Sequence, residues 1–425
     1  MNEHEKEILQ ETLRTEFEKC DNSQKGNSWI EHNIKLKHTE PIKQKYYPRN
    51  PKLQGIINEQ VEKMLKEGVI EKSDSQYSSP VVLVRKDNGE YRFCIDFRKI
   101  NEITEKDAYP LPQIDDTLEK LSKARYFSKM DLKNGYWNVN LSEDSRPITA
   151  FTVPGRGLYQ FKKMPFGLHS SGATFQRLLD MVITPEQQPH AYAYLDDIII
   201  CSSSFTEHIE HLKEVFKRIR EAGLQINKSK CEFCKPEIEY LGHIVTKEGI
   251  KMNEGKIKAI KELKAPTNVK EVRRLIGMTS WYRKFIKNYS KIMSPIVKLL
   301  KKDNKFTWGK EQDEAFREIK EMITKDPILT RADFNKPFTL QTDASNVGLG
   351  AILSQEYDGI HKPVMYASRT LTPAETRYTT SEKECLAVIW GVRKMRPFLE
   401  GYHFTIITDH QALRWLNNLK DPTGR

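Results

Sequence analysis

Two aspartates stand side by side at Asp196-Asp197, after Tyr194-Leu195 and between the apolar runs Ala191-Tyr192-Ala193 and Ile198-Ile199-Ile200. Two β-prone runs meeting at adjacent acids predict a hairpin with carboxylates at its tip. Carboxylates placed there are costly unless a cation binds them. Divalent ions held in pairs by Asp are a common means of transferring nucleotidyl groups. Such a clamp needs a third acid. Asp131 ends the strand-like run Tyr126-Phe127-Ser128-Lys129-Met130 and precedes the turn Lys133-Asn134-Gly135. Asp131 and Asp196 are the expected bridging pair. Asp197, next in the strand alternation, points to the opposite side and supports part of the site. The acid pair Asp115-Asp116 serves as a control, because it precedes Thr117-Leu118-Glu119-Lys120-Leu121 and is explained by a helix start.

These acids need a scaffold. The chain has 425 residues, enough for three or four domains. It carries 69 Lys and Arg against 58 Asp and Glu, a net charge of +11, which favours a polyanionic partner such as nucleic acid. No apolar run is long enough for a membrane span, and the charged start Met1-Asn2-Glu3-His4-Glu5-Lys6 is unlike a secretory signal. Six scattered cysteines suit a reducing, cytoplasmic setting, and the lone Cys231-x-x-Cys234 lacks the second ligand pair of a zinc site.

Periodicity and punctuation then place the elements. Residues 1–34 read as a charged tether, with one short helical pattern at Ile8, Leu9, Leu13 and Phe17. Residues 35–52 form an extended basic lead-in. An amphipathic helix is expected over 56–70, stopped by Gly68. Residues 81–95 read as two strands joined at Asn88-Gly89. Helices are expected over 113–124, 173–183 and 208–222, with β-rich stretches over 126–161 and 238–245. The pattern turns helical and basic from 254 to 330, including Lys287, Lys302 and Lys305, before a second β-rich unit begins at Phe338. Ser280 to Ile286 interleaves aromatic and basic residues, and Trp281 and Phe285 are read as helix core beneath a basic face.

In that order, Leu83 to Asn101, Asp131, Met164-Pro165-Phe166-Gly167-Leu168, Tyr194-Leu195-Asp196-Asp197, Gly223-Leu224, Lys230-Cys231 and Tyr240-Leu241-Gly242-His243 resemble the reverse transcriptase of gypsy-like LTR retrotransposons. The resemblance implies an α+β right-hand polymerase. Fingers and palm would span 35–204, the palm end and thumb 205–265, and a helical connection 266–335. Asp131, Asp196 and Asp197 would hold two Mg²⁺ or Mn²⁺ ions. Arg85 and Arg92 would grip the dNTP triphosphate, as bidentate guanidinium suits phosphate. Tyr136 would exclude a ribose 2′-hydroxyl, Phe166 would lie under the nascent pair, and Lys230 would sit near the pyrophosphate. Residues Tyr240, Leu241, Gly242 and His243 would support the primer end. Implied partners are an RNA template, a DNA primer, an RNA/DNA hybrid and other parts of a Pol polyprotein, in virus-like particles. Two stretches depart from the family's usual pattern: His169-Ser170-Ser171-Gly172-Ala173 and Arg146-Pro147-Ile148-Thr149.

A second set of acids follows. Asp343 closes a strand-like run. Thr380 to Met395 reads as a helix that buries Leu386, Val388, Ile389 and Val392 and projects Glu384 from its other side. Asp409 follows the run Phe404-Thr405-Ile406-Ile407. Asp, helical Glu, then Asp is the order of acids in an RNase H, whose two metals cut RNA in a hybrid. Glu382 is the rival for the helical acid. Glu384 is preferred because Cys385-Leu386-Ala387 matches the family step after it. The α/β RNase H-like domain, 336–425, is expected to be incomplete, because the family's fourth acid lies further on and Asp421 sits in a loop; its cutting is expected to be impaired. Two rivals remain: an RNA-dependent RNA polymerase, opposed by Tyr136 and the second acid set, and a decayed or co-opted nucleic-acid binder without catalysis, opposed by the complete palm acids.

Overall fold

The computed structural model describes residues 1–22, 29–85, 89–121, 124–188, 190–301, 306–325 and 328–411. The chain packs as two compact units, Met1–Pro236 and Glu237–Arg425. The first opens with helix α1 (Glu3–Asp21), started by an Asn2–Glu5 capping box. The segment expected to be a tether is therefore a docked helix. Leu9 is part of the buried core, and Leu13, Phe17 and Cys20 pack against it. These four residues form one helical stripe, and they find a partner surface far away in sequence, which local composition does not show.

Residues 35–45 run extended, with Lys35, Lys37, Lys43 and Lys45 outward and Leu36, Ile42 and Gln44 turned inward. Asn50 then caps α2 (Pro51–Lys66) by accepting from the Leu53 N–H, and Pro51 occupies a first-turn position that needs no donor. Strands β1 (Ser79–Arg85) and β2 (Tyr91–Ile95) pair antiparallel, with Arg85 opposite Tyr91 and Val84 opposite Arg92. They edge a five-stranded sheet. Asn88 of the expected turn lies outside the described residues.

The acids sit on a second sheet. Strand β3 (Tyr126–Asp131) is followed by a short 3-10 turn over Gly135–Asn138. The β-rich pattern read at Trp137 to Leu141 is thus only a two-residue strand at its end. The reason is local: Asn134 takes a left-handed φ of 50°, and the Asn138 amide donates to the carbonyls of Lys133 and Gly135. Helix α3 (Ser171–Val182) precedes the hairpin of β4 (Ala191–Tyr194) and β5 (Asp197–Ser202). Helix α4 (Phe205–Glu221) and strand β6 (Glu232–Lys235) complete the layer. The sheet order is β6-β3-β5-β4. Phe175, Leu178 and Leu179 of α3 share one core with Leu212, Val215 and Phe216 of α4 and with Met130, Ile198 and Ile200 from the strands. Cys234 joins that core, and both Cys231 and Cys234 are free thiols.

The second unit starts with a three-stranded meander, β7 (Glu237–Tyr240), β8 (His243–Thr246) and β9 (Ile250–Met252). A helical stretch follows, whose core includes Val272, Leu275, Tyr282, Phe285 and Ile319. Its last part is a four-stranded sheet of β10 (Phe338–Ala344), β11 (Gly348–Tyr357), β12 (Ile360–Thr370) and β13 (Phe404–Ile407), ordered β12-β11-β10-β13. Only β10 and β13 pair parallel, Phe338 opposite Phe404. Helix α5 (Thr380–Lys394) packs on β10 and β11. The face it buries differs in part from the expected one: Leu386 and Val392 pack against the core, but Glu384, Ala387 and Gly391 are buried and Ile389 is 45% exposed. Small residues at 387 and 391 bring the helix close, since a Cβ on Gly391 would lie 3.1 Å from the Thr342 methyl. Lys302, Lys305 and Leu413 to Arg425, with Asp421, lie outside the described residues.

Candidate active site

The β4–β5 hairpin turns on two residues, Leu195 and Asp196. Leu195 adopts a left-handed φ of 49°, a region costly for a branched side chain. What holds it is Gln176, fully buried on α3. Its Oε1 accepts from the Leu195 N–H at 2.9 Å, and its Nε2 donates to the Ala193 carbonyl at 3.2 Å. Sequence reading missed Gln176. Nothing in its neighbours separates it from an ordinary helical residue, and its partners lie 17 and 19 residues away. A Gln176→Leu substitution should leave the Leu195 N–H unpaired, costing about 1–3 kcal/mol. A lowered Tm is the expected result; an unchanged Tm would show that the clamp is dispensable.

Asp197 begins β5 directly opposite Asp131 on β3, so the two side chains share one face of the sheet. The alternation argument that put Asp197 on the far side does not apply, because Asp196 belongs to the turn and not to the strand. Asp197 is held by Lys129, Nζ to Oδ1 3.2 Å. Asp131 accepts from the Asn227 amide at 3.2 Å and faces Lys230 Nζ at 3.5 Å. Asp196 is mostly buried, and its Oδ1 has no hydrogen-bond partner. That oxygen lies over Gly135, where a Cβ would come within 2.3 Å of it. Burial pushes the Asp196 carboxyl up to about 6, with Asp131 and Asp197 adding to the rise and Lys230 opposing it. Among the described residues no three His, Cys, Asp or Glu side chains converge as a preformed metal cluster; Lys129 and Lys230 balance the acids instead.

Asp131 and Asp196 open into a cleft of 1020 Å³, whose lining includes Arg92, Gly135, Phe166 and Lys230, with Lys52 and Gln60 of α2 on its wall. Tyr136 stacks on Phe166 at 4.9 Å and meets Phe175 edge-on at 5.2 Å. Burial, then the Asp196 charge, raises its phenol pKa. The structure therefore gathers Arg92, Asp131, Phe166, Asp196 and Lys230 around one space, while Tyr136 stands behind Phe166 and does not line it. Arg85 and Asp197 do not line it. Of the departing stretch, His169 takes part in a clamp: its N–H donates to Asn101 Oδ1, and the Asn101 amide donates to the Gly167 carbonyl. Gly172 lies against Leu195 and the Tyr136 hydroxyl.

In the second unit, Leu241 and Gly242 form the two-residue turn between β7 and β8, both at positive φ. Tyr240 and His243 are buried, so the presentable part of this motif is the turn itself. Beside it stand Lys256 and Trp281, the latter 46% exposed. Phe285 is core as expected, but Trp281 is a surface residue.

The other acids meet at the edge of the four-stranded sheet. Asp343 and Asp409 line a cavity of 120 Å³ together with Gln341, Gly350, Lys287 and Asn288. Glu384 is 5% exposed; its Oε1 accepts from the Ala344 N–H at 3.2 Å, and its Oε2 has no partner. Burial raises its pKa, and the charges of Asp409 and Asp343 push the same way. The rival Glu382 is engaged elsewhere, in the capping box with Thr379 that starts α5.

A palm sheet with acids at a hairpin tip, followed by a sheet with an acid-bearing helix, defines a reverse transcriptase joined to an RNase H-like domain. Residues 84–245 match the family described as reverse transcriptase (RNA-dependent DNA polymerase), and residues 308–406 match the RNase H-like domain found in reverse transcriptase. More particularly, the chain belongs with the Pol polyproteins of gypsy-like transposons. It is 44% identical over 402 residues to the retrovirus-related Pol polyprotein from transposon 297 of Drosophila melanogaster, covering 93% of this chain and 38% of that protein. It is 38% identical to the corresponding polyprotein from transposon gypsy of the same organism, over 91% of this chain and 39% of that one. The chain thus spans about two fifths of these relatives' length. Among solved structures it is similar to the foamy viral protease-reverse transcriptase in complex with dsDNA, with TM-score 0.88, 25% identity, all of this chain and 89% of that one. It is also similar to the same enzyme in complex with RNA/DNA hybrid, with TM-score 0.82, 25% identity, all of this chain and 58% of that one.

Proposed function

We propose that the chain extends a DNA primer on an RNA template with dNTPs, and that its RNase H-like domain cuts the RNA of the resulting hybrid. The observation that carries this is the buried, unpartnered Asp196 oxygen beside Asp131 at the mouth of a cleft that also presents Arg92 and Lys230. An orphaned carboxylate oxygen among like charges fits a divalent cation, and Asp131, Asp196 and Asp197 are the residues that would hold two such ions. When bound, such ions acidify the primer 3′-hydroxyl and offset the charge of the leaving pyrophosphate. The chain's own residues do the rest. Asp196 and Asp131 fix the reacting end, Arg92 takes triphosphate oxygens, and Lys230 stands within reach of a departing pyrophosphate. Arg85 serves as an outer phosphate contact on the same hairpin. Phe166, backed by Tyr136, makes an apolar floor for the nascent pair. The Leu241–Gly242 turn, with Tyr240 and His243 as its buried footing, is assigned to contact the primer strand.

We assign fingers and palm to 35–204, palm end and thumb to 205–265, the helical connection to 266–335 and the nuclease domain to 336–425. Among the described residues no helix is long and apolar enough to cross a membrane. Six free cysteines fit a reducing cytoplasm.

The direct test is primer extension on poly(rA)/oligo(dT) with Mg²⁺; no extension would sink the polymerase reading. Two predictions accompany it. Tyr136→Ala removes the ring that would meet a ribose 2′-hydroxyl, so discrimination against ribonucleotides should fall by about 10–100-fold, read as the ratio of kcat/KM for the two substrates; equal ratios in variant and parent would dismiss the gate. Glu384→Gln should reduce cleavage of an RNA/DNA hybrid by about 10²-fold or more while leaving extension intact, checked on one labelled hybrid. Loss of both activities together would contradict separate sites.

A further inference from the structure

Helix α1 was expected to be a passive tether, yet it is built into the palm. Glu16 on α1 is 5% exposed and pairs with Arg220 of α4 at 3.1 Å. Phe17 meets Phe216 edge-on at 5.1 Å and Phe233 at 6.0 Å. The last turn of α1 then reaches the 227–230 loop: Asp21 Oδ2 lies 2.7 Å from Lys228 Nζ, and that ammonium sits over the Phe17 ring at 4.8 Å. This short loop is the one that touches the polymerase acid. The Asn227 N–H donates to the Asp131 carbonyl at 2.8 Å, its amide donates to Asp131 Oδ1, and Lys230 faces Oδ2. The Lys230 N–H donates back to the Asn227 carbonyl at 3.0 Å, closing the turn.

We infer that α1 is a positioning element of the polymerase site, in which Phe17 and Asp21 hold Lys228 and thereby set Asn227 and Lys230 against Asp131. This rests on the polymerase reading above. Lys228 is engaged by Asp21 and Phe17 and does not line the cleft. Its role is to fix a loop that carries an amide and an ammonium, side chains that a site must hold to within about 0.5 Å. A purely structural α1 would add stability to the palm without affecting that loop. A positioning α1 makes the loop's order, and so the turnover rate, depend on a contact made outside the cleft.

The experiment compares Asp21→Lys, Lys228→Asp, the charge-exchanged double variant and Phe17→Ala in the full chain. Three quantities are read: kcat and KM for dTTP on poly(rA)/oligo(dT), the thermal midpoint, and hydrogen exchange of the 226–231 backbone amides. Each single charge reversal should lower kcat about 3–10-fold with little change in midpoint, since an exposed pair contributes little to stability. Exchange in the loop should rise at least about tenfold. The double variant should restore both. Phe17→Ala should lower kcat by about tenfold or more; if it unfolds the palm, the charge reversals decide alone. Single reversals with parental kcat, loop exchange that does not respond, or a double variant no better than its parents would each overturn the inference. A parent chain that extends no primer would sink the polymerase reading instead, and the exchange data would still decide whether α1 orders the loop.

Discussion

Asp196→Asn should abolish primer extension and, in the same protein, raise stability at alkaline pH. Loss of extension by about 10³-fold or more follows from removing a charge aimed at the reacting centre. The stability gain follows from the carboxyl being held near 6 instead of its ordinary 3.8. A carboxyl raised on folding binds its proton more tightly in the native state. Its contribution is therefore fully present below pH 3.8 and is lost as pH climbs through 6. The shift corresponds to roughly 3 kcal/mol at full ionisation, and solvent screening at the mouth of an open cleft reduces that to about 1–2 kcal/mol. With a chelator present, the variant should thus melt roughly 2–8 °C above the parent at pH 8 and level with it near pH 4. A variant that still extends primer, or whose advantage grows toward low pH, would contradict the burial and like-charge account of this site.

Gly135→Ala should be nearly as damaging, although it removes no chemical group. A Cβ there would lie 2.3 Å from Asp196 Oδ1 and 2.8 Å from the Phe175 ring. Phe175 is fully buried in the palm core, so the ring has nowhere to retreat and the carboxylate must move. Overpacking of this kind costs about 1–3 kcal/mol, and misplacing a reacting group by about 1 Å costs about 10²-fold in rate. Gly277→Ala is the control. It sits inside the helix Val269–Ser280 with open space around its Cβ position, where Ala is favoured by up to about 1 kcal/mol. Extension rates and thermal midpoints of the two variants decide the matter. Equal rates for Gly135→Ala and the parent would show that Asp196 has slack.

The acids were legible in the sequence because apolar runs around charged residues are rare and meaningful. Gly135 was read only as part of a turn, and the start of α2 was misplaced: residues 35–52 were read as an extended lead-in with the helix from 56, whereas Asn50 caps a helix that begins at Pro51. Roles set by distance in sequence were not legible. Gln176 reaches residues in another element, and the partner face of α1 is supplied by residues about 200 positions away. The face of α5 was read only in part: Leu386 and Val392 do pack against the core, but close packing of Ala387 and Gly391 on the sheet turns Glu384 inward and leaves Ile389 exposed. Trp281 was also misread. It was read as helix core, but the helix ends at Ser280 and a turn and a 3-10 segment follow, in which Tyr282 and Phe285 fill the interior. Asp197 shows the limit of alternation, which holds along a strand but not across the turn where Asp196 sits.

The left-handed Leu195 has a consequence for when the site's energy is expended. A glycine would relax that turn, but it would also let the hairpin tip wander among many conformations in the unfolded and folded chain alike. Leucine with the Gln176 clamp accepts a fixed strain of about 1–2 kcal/mol in return for a single tip geometry. That strain is borne once, when the palm folds, and is offset by the α3 core beneath it. The ordering of Asp196 is then complete in the folded palm, so under the proposed polymerase function the free energy of binding a nucleotide would not be diverted into arranging it, and successive additions would need no reorganisation of the hairpin.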